Sequence, residues 1–138
     1  MSLVTAFNNQ LKSLIEDLIY IFPDDTKLLL FKEKFGLVKS ANPSLIINYF
    51  FQYVYPYKNE IVNKDDSYFN KSDGVDNINN FFKENHELKE NEYAPLSYIL
   101  TLHNKWNDLN ETNREVVWKY LNVLILLTER WALSKLNK

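Results

Sequence analysis

VVWKYLNVLILL, from Val116 to Leu127, decides how this chain is read, because every position except Lys119 and Asn122 is apolar or aromatic. It sits in a run from about Glu111 to Leu136 that contains neither Gly nor Pro. At about 1.5 Å rise per residue such a run makes seven helical turns. A surface helix carries one apolar stripe, whereas one that is apolar nearly all round needs cover on most sides. The run is therefore expected to be a long, mostly buried C-terminal helix wrapped by the rest of the chain.

Working outward, the segment before it supplies caps and cover. Asn110, Thr112 or Asn113 can accept the free N–H groups at the start of the long helix. Pro95 opens the preceding helix, whose face is Leu96, Ile99, Leu100, His103, Trp106 and Leu109. Val75, Ile78, Phe81 and Phe82 suggest another helix running to about Leu88, with loops at Lys71–Gly74 and Lys89–Glu92. From 57 to 76 the pattern weakens, and mobility is expected there. Glu60–Val62 forms at most a short helical turn, and Asp65–Asp66 can cap another around Tyr68–Phe69.

At the other end, Phe7, Leu11, Leu14, Ile15, Leu18 and Phe22 lie on one helical face, and Pro23 ends that helix by pushing its predecessor out of the α region. Asp24 or Asp25 can cap a second helix whose packing face runs from Leu28 to Phe35, with Gly36 as a stop. Asn42–Pro43 reads as a helix start, and Ser44 to Tyr55 as a third helix closed by Pro56. The fold expected is all-α: a single helical domain over residues 1–138, an orthogonal or irregular bundle of six to seven helices. Two glycines among 138 residues agree with helices better than with strands, whose turns and bulges consume glycine.

Composition narrows the function classes. Net charge is -2, and lysines alternate with acids along the chain, so the basic stripe of a phosphate-backbone binder is not evident. Without cysteine, disulfides and thiolate metal sites are excluded. No signal-peptide pattern opens the chain, and the 116–127 run is shorter than the roughly 20 residues a bilayer demands. A soluble, intracellular protein that is not secreted is expected. The sequons at Asn70 and Asn110 then carry no meaning.

No catalytic signature emerges. His86-Glu87-Leu88-Lys89-Glu90 mimics a zincin motif only until its last position, where a Glu stands in place of the second His. His103 lies on an apolar helix face, the usual place of a histidine bonded at a core edge. The pairs Asp24–Asp25 and Asp65–Asp66 could hold Mg²⁺ or Ca²⁺ but read better as helix caps. An EF-hand loop ending its acidic run at Asp73–Gly74 would need an acid where Phe69 stands. Phosphate-cradling and nucleophile-elbow motifs are lacking. No cofactor or metal site is expected.

Aromatics remain in excess, at three Trp, nine Tyr and nine Phe. They could stack bases, but base stackers also need a positive groove. Tyr and Trp concentrate at protein contacts, since each joins a large apolar area to a polar tip. Tyr49, Tyr53 and Tyr57, spaced i, i+4 and i+8, are the interface candidates, with the core as the competing reading. On the long helix, Asn122 needs a partner if buried and marks a candidate binding groove if exposed.

The segments Phe22-Pro23-Asp24-Asp25, Pro56-Tyr57 with Ile61, Asp65-Asp66-Ser67-Tyr68-Phe69, and Trp106, Leu109, Asn113, Val117, Trp118, Tyr120, Leu121 and Leu124 carry a resemblance. The chain resembles small helical proteins encoded by nucleocytoplasmic large DNA viruses, the giant viruses of algae and protists. Its 18 Asn and 14 Lys against 2 Arg fit an AT-rich genome and agree with that resemblance. The resemblance transfers no site residues. It implies a viral origin and a virion-associated or factory-associated role, in the infected host cell's cytoplasm or in the virion. The expected function is a non-enzymatic protein-interaction module, a viral structural or accessory protein that binds another protein or itself. The alternative is a nucleic-acid-associated accessory factor in viral transcription or replication.

Overall fold

The computed structural model describes residues 2–71 and 105–136, and all its regular elements among them are helical. The helices expected over 75–88 and 95–109 lie outside the described residues except for the end of the second, as do both histidines and Glu87.

Helix α1 spans Leu3–Ile21. Ser2 caps it by accepting the Thr5 N–H at 3.0 Å, and its buried face is Phe7, Asn8, Leu11, Leu14, Ile15 and Leu18. Phe22 closes it immediately before Pro23, as the proline requires. Helix α2 spans Thr26–Ala41, and the Asp25 carboxylate accepts from the N–H groups of Lys27 and Leu28. Gly36 does not stop it. Burial of Phe35 and Val38 on either side carries the helix through, outweighing a glycine penalty of about 1 kcal/mol. Asn42 accordingly closes α2, donating its N–H to the Val38 carbonyl, and does not cap the third helix. That helix, α3, is Leu45–Tyr53, with Ser44 at its N-cap position.

The weakly patterned segment 57–76 is a chain of short helical turns as far as it is described. A 3₁₀ turn at Tyr55–Tyr57 contains Pro56 and leads into α4, Lys58–Val62. The Asp65 N–H bonds Glu60 O and the Lys64 N–H bonds Ile61 O, the paired bonds of a Schellman cap. Lys64 takes the left-handed position usually given to glycine, at φ 53°, and its ammonium reaches Glu115 at 2.8 Å. Helix α5 is Tyr68–Lys71.

A 3₁₀ turn, Trp106–Asp108, precedes the C-terminal helix α6, Glu111–Leu136. Asn110 caps α6, its side chain accepting the Asn113 N–H at 2.8 Å. At 26 residues the helix is about 39 Å long. It packs on α1, α3 and α4, but it is not mostly buried. Its buried positions form one stripe, Val117, Trp118, Leu121, Leu124, Ile125, Thr128 and Trp131, with the alternating three- and four-residue spacing of a single helix seam. Lys119, Val123, Leu126, Arg130 and Leu133 share the opposite face and are exposed. Its apolar residues point both ways, and among the described residues the surrounding helices cover one side.

Polar ties fix the packing. The buried Asn8 donates its amide to Pro43 O at 2.9 Å, joining α1 to the α2–α3 turn. Asp25, which caps α2, also pairs with Lys105, whose ammonium lies 4.7 Å from the Phe22 ring centroid. Thr128, fully buried, satisfies its hydroxyl on Leu124 O at 2.7 Å. A ring cluster seals the junction of α5, the second 3₁₀ turn and α6: Phe69 stacks on Trp106 at 4.1 Å and Trp118 meets Trp106 edge-on at 4.9 Å. Arg114 lies over the Trp106 ring and bonds its carbonyl.

Candidate interaction surface

Helix α3 contributes Ser44, Asn48, Phe51 and Gln52 to one wall of a surface groove, positions one turn apart on a single face. The last turns of α6 form the other wall with Trp131, Ala132, Lys135 and Leu136. The groove holds about 430 Å³, within the size range of sites that take a small ligand or a few side chains. Its floor is aromatic. Phe51 stacks on Tyr55 at 5.8 Å and meets Trp131 edge-on at 6.2 Å, yet keeps 38% of its surface open to solvent. Among the described residues Lys135 is the only ionisable side chain lining the groove, with its ammonium 4.6 Å from the Trp131 ring centroid. The Gln52 amide donates to Asn48 at 3.1 Å and holds the polar rim together.

A second, smaller groove of about 330 Å³ runs beside α4, between Lys58 and Val62 on one side and Asn122, Val123, Leu126 and Glu129 on the other. A three-group clamp borders it. Glu129 accepts from the Tyr55 hydroxyl at 2.9 Å and from the Lys58 ammonium at 2.5 Å. The bond from Lys58, followed by that from Tyr55, holds the Glu129 carboxyl below its ordinary pKa. The same bonds to Glu129 push both Lys58 and Tyr55 upward. A tyrosine raised in this way is a poor nucleophile or base at neutral pH, so the clamp ties the first 3₁₀ turn and α4 to α6. Asn122 borders the same groove half-buried, donating to Trp118 O at 2.8 Å and to Ile61 O at 3.2 Å. It is therefore a satisfied link between α6 and the end of α4.

The three interface candidates do not form one surface. Tyr49 belongs to the core, 3% exposed, and burial raises its phenol pKa. Its place on the inner face of α3, beside Phe50, is that of the core reading. Tyr53 and Tyr57 are half-buried against the core. Tyr53 tilts onto Tyr49 at 5.3 Å and Tyr57 meets Tyr68 edge-on at 5.5 Å. The groove instead uses Phe51, Trp131 and Lys135, which sequence reading did not single out. The signal for Phe51 was its position one turn beyond Asn48, on the side of α3 away from Tyr49.

Asp65 accepts the Ser67 N–H at 3.0 Å in the turn before α5, while Asp24 lies in the α1–α2 turn. Among the described residues no group of three or more His, Asp or Glu side chains is placed to hold a metal ion, and no helix is long and apolar enough to cross a membrane.

The described residues form a helical protein with two grooves along its C-terminal helix, one of them floored by Phe51 and Trp131. Compared with known proteins, the chain matches no family, no curated protein and no solved structure.

Proposed function

We propose that this chain is a non-enzymatic protein-interaction module, and that the groove between α3 and the end of α6 receives a short amphipathic helix of the partner. The carrying observation is the pairing of an open aromatic floor, Phe51 against Trp131, with a single cation at Lys135. Helix-in-groove recognition uses apolar anchors at i, i+3, i+4 and i+7 set into such a cleft, and exposed aromatic side chains dominate binding energy at protein contacts. An acidic residue on the partner's rim opposite Lys135 fixes the direction in which the helix lies.

The wider setting is part of the same proposal. The chain is one helical domain of six to seven helices assembled on α6, of viral origin, acting as a structural or accessory protein in the host cytoplasm or in the virion. The resemblance to proteins of nucleocytoplasmic large DNA viruses and the Asn and Lys excess support it. A nucleic-acid-associated accessory role is the alternative, tested by retention on heparin or DNA that falls steeply with salt.

The test is quantitative capture from the native source, comparing wild type with a Lys135→Glu/Leu136→Asp variant. Leu136 is 81% exposed, so the variant is expected to fold. Loss of one stoichiometric partner with the variant is the result expected. Unchanged capture would remove the groove from the reading.

A further inference from the structure

Helix α2 turns apolar residues in both directions. Leu28, Phe31, Phe35 and Val38 enter the core, while Leu29, Leu30 and Leu37 are 45%, 39% and 56% exposed. At 3.6 residues per turn these three leucines share the outer face with Thr26, Glu33 and Ser40. Lys27 and Lys34 border that face on one side, and Lys32 and Lys39 border it on the other. Among the described residues none of these four lysines pairs with a carboxylate. The helix thus carries four lysines and one glutamate in a chain whose net charge is -2. A surface helix ordinarily turns polar side chains to water, and an exposed leucine ridge marks a contact site.

We propose that the outer face of α2 docks on an anionic lipid surface, its leucines entering between head groups and its lysine rows meeting their phosphates and carboxylates. The shape of the face argues for a bilayer. Among the described residues the leucines stand on the outer face of α2, opposite the face that packs into the core, and a deformable surface can close around such a ridge. Cations flanking an apolar ridge also match the two attractions that hold interfacial helices, apolar burial and charge. Nucleic acid would meet the same lysines but offers nothing to the leucines between them. The face is separate from the groove of α3 and α6, so either surface can fail without the other.

Flotation of the full-length chain with vesicles tests this. Wild type is expected to float with vesicles containing one third phosphatidylserine in phosphatidylcholine, to stay behind with pure phosphatidylcholine, and to be released as salt is raised. Leu30→Ser/Leu37→Ser and, separately, Lys27→Gln/Lys32→Gln/Lys34→Gln/Lys39→Gln should each lower partitioning at least about tenfold. Far-UV circular dichroism and the melting temperature show that each variant is folded, and two single-lysine variants, Lys32→Gln and Lys34→Gln, replace the quadruple one if it does not fold. No flotation of wild type at low salt would overturn the proposal. So would flotation that survives loss of the leucines, and so would equal heparin retention by wild type and the leucine variant without flotation, which marks a polyanion site.

Discussion

Truncating Leu124 and Leu126 to Ala, one at a time, tests how α6 is seated, because the two leucines are two positions apart and face opposite ways. Leu124 is fully buried and Leu126 is 45% exposed. Removing a fully buried leucine side chain costs its transfer free energy and leaves a cavity, about 3–4 kcal/mol for a site that cannot collapse. Leu124 sits in the stripe that packs on the neighbouring helices, with Leu121 and Ile125 beside it, so the upper part of that range applies. Leu126 loses only partial contacts at the edge of the α4 groove, and its truncation should change stability by no more than about 0.5–1 kcal/mol. Urea unfolding followed by tryptophan fluorescence reads both. With a slope of about 1.5 kcal/mol/M the Leu124 variant's midpoint falls by about 2.5 M while the slope is unchanged, and its melting temperature falls by about 13 °C. Losses of similar size at both positions would refute the one-sided seating and restore a helix covered all round. A loss below about 1 kcal/mol at Leu124 would show that this stripe is not the core.

Single sites elsewhere give further expectations. Gly36→Ala should stabilise by about 0.5–1 kcal/mol, since Gly36 lies inside α2 and a Cβ there meets nothing within 4 Å; a loss in thermal unfolding would contradict the open site. Asp25→Asn keeps a good cap but removes the charge facing Lys105, and should cost about 1–3 kcal/mol near pH 7. The hydrogen bond from Lys105 lowers the Asp25 pKa, so this contribution is present above the unfolded carboxyl's pKa and is lost as pH falls through the folded one. The difference between wild type and variant should therefore begin to shrink as pH falls below about 4 and vanish only below the lowered folded value. Burial lifts the phenols of Tyr49 and Tyr68, the bond to Glu129 lifts Tyr55, and burial with the bond to Asp17 pushes Tyr120 up to about 12. Raised phenols stabilise the fold at neutral pH and lose that contribution as pH rises through their folded values. Of nine tyrosines, absorbance titration of the folded chain should find those four resisting ionisation beyond the ordinary value near pH 10, and nine equivalent phenols would contradict the packing. Tyr53→Ser/Tyr57→Ser should lower stability by about 2–4 kcal/mol, because both rings pack on the core; a neutral result would return them to the surface.

Much of the fold was legible where one local rule governed. Pro23 and the face from Phe7 to Leu18 define α1, and the run without Gly or Pro between Glu111 and Leu136 defines α6 together with its Asn110 cap. Readings went astray where tertiary packing outweighed a local preference. Gly36 reads as a stop, but Phe35 and Val38 gain more from burial than glycine loses, and α2 extends to Ala41, so Asn42 closes α2 where it reads as the start of α3. The run from Val116 to Leu127 reads as apolar on all sides, and which side stays uncovered depends on helices more than fifty residues away. The groove was less legible still. Phe51 and Trp131 meet only because α3 crosses the end of α6, so neither residue's own surroundings in sequence reveal the pair. Tyr49, in contrast, fitted the spacing of an interface as well as that of a core, and only its place on the inner face of α3 decides between them.

The α3–α6 groove is the centre of the functional proposal, and site-specific photo-crosslinking tests it most directly. A photoreactive side chain at Leu136, on the groove's lip, is compared in extracts of the native source with one at Tyr20, which is 88% exposed on α1. The result expected is a single defined adduct from position 136, absent from position 20 and abolished by Lys135→Glu. Equal labelling from both positions, or an adduct at 136 that persists after Lys135→Glu, would contradict the groove as the docking site.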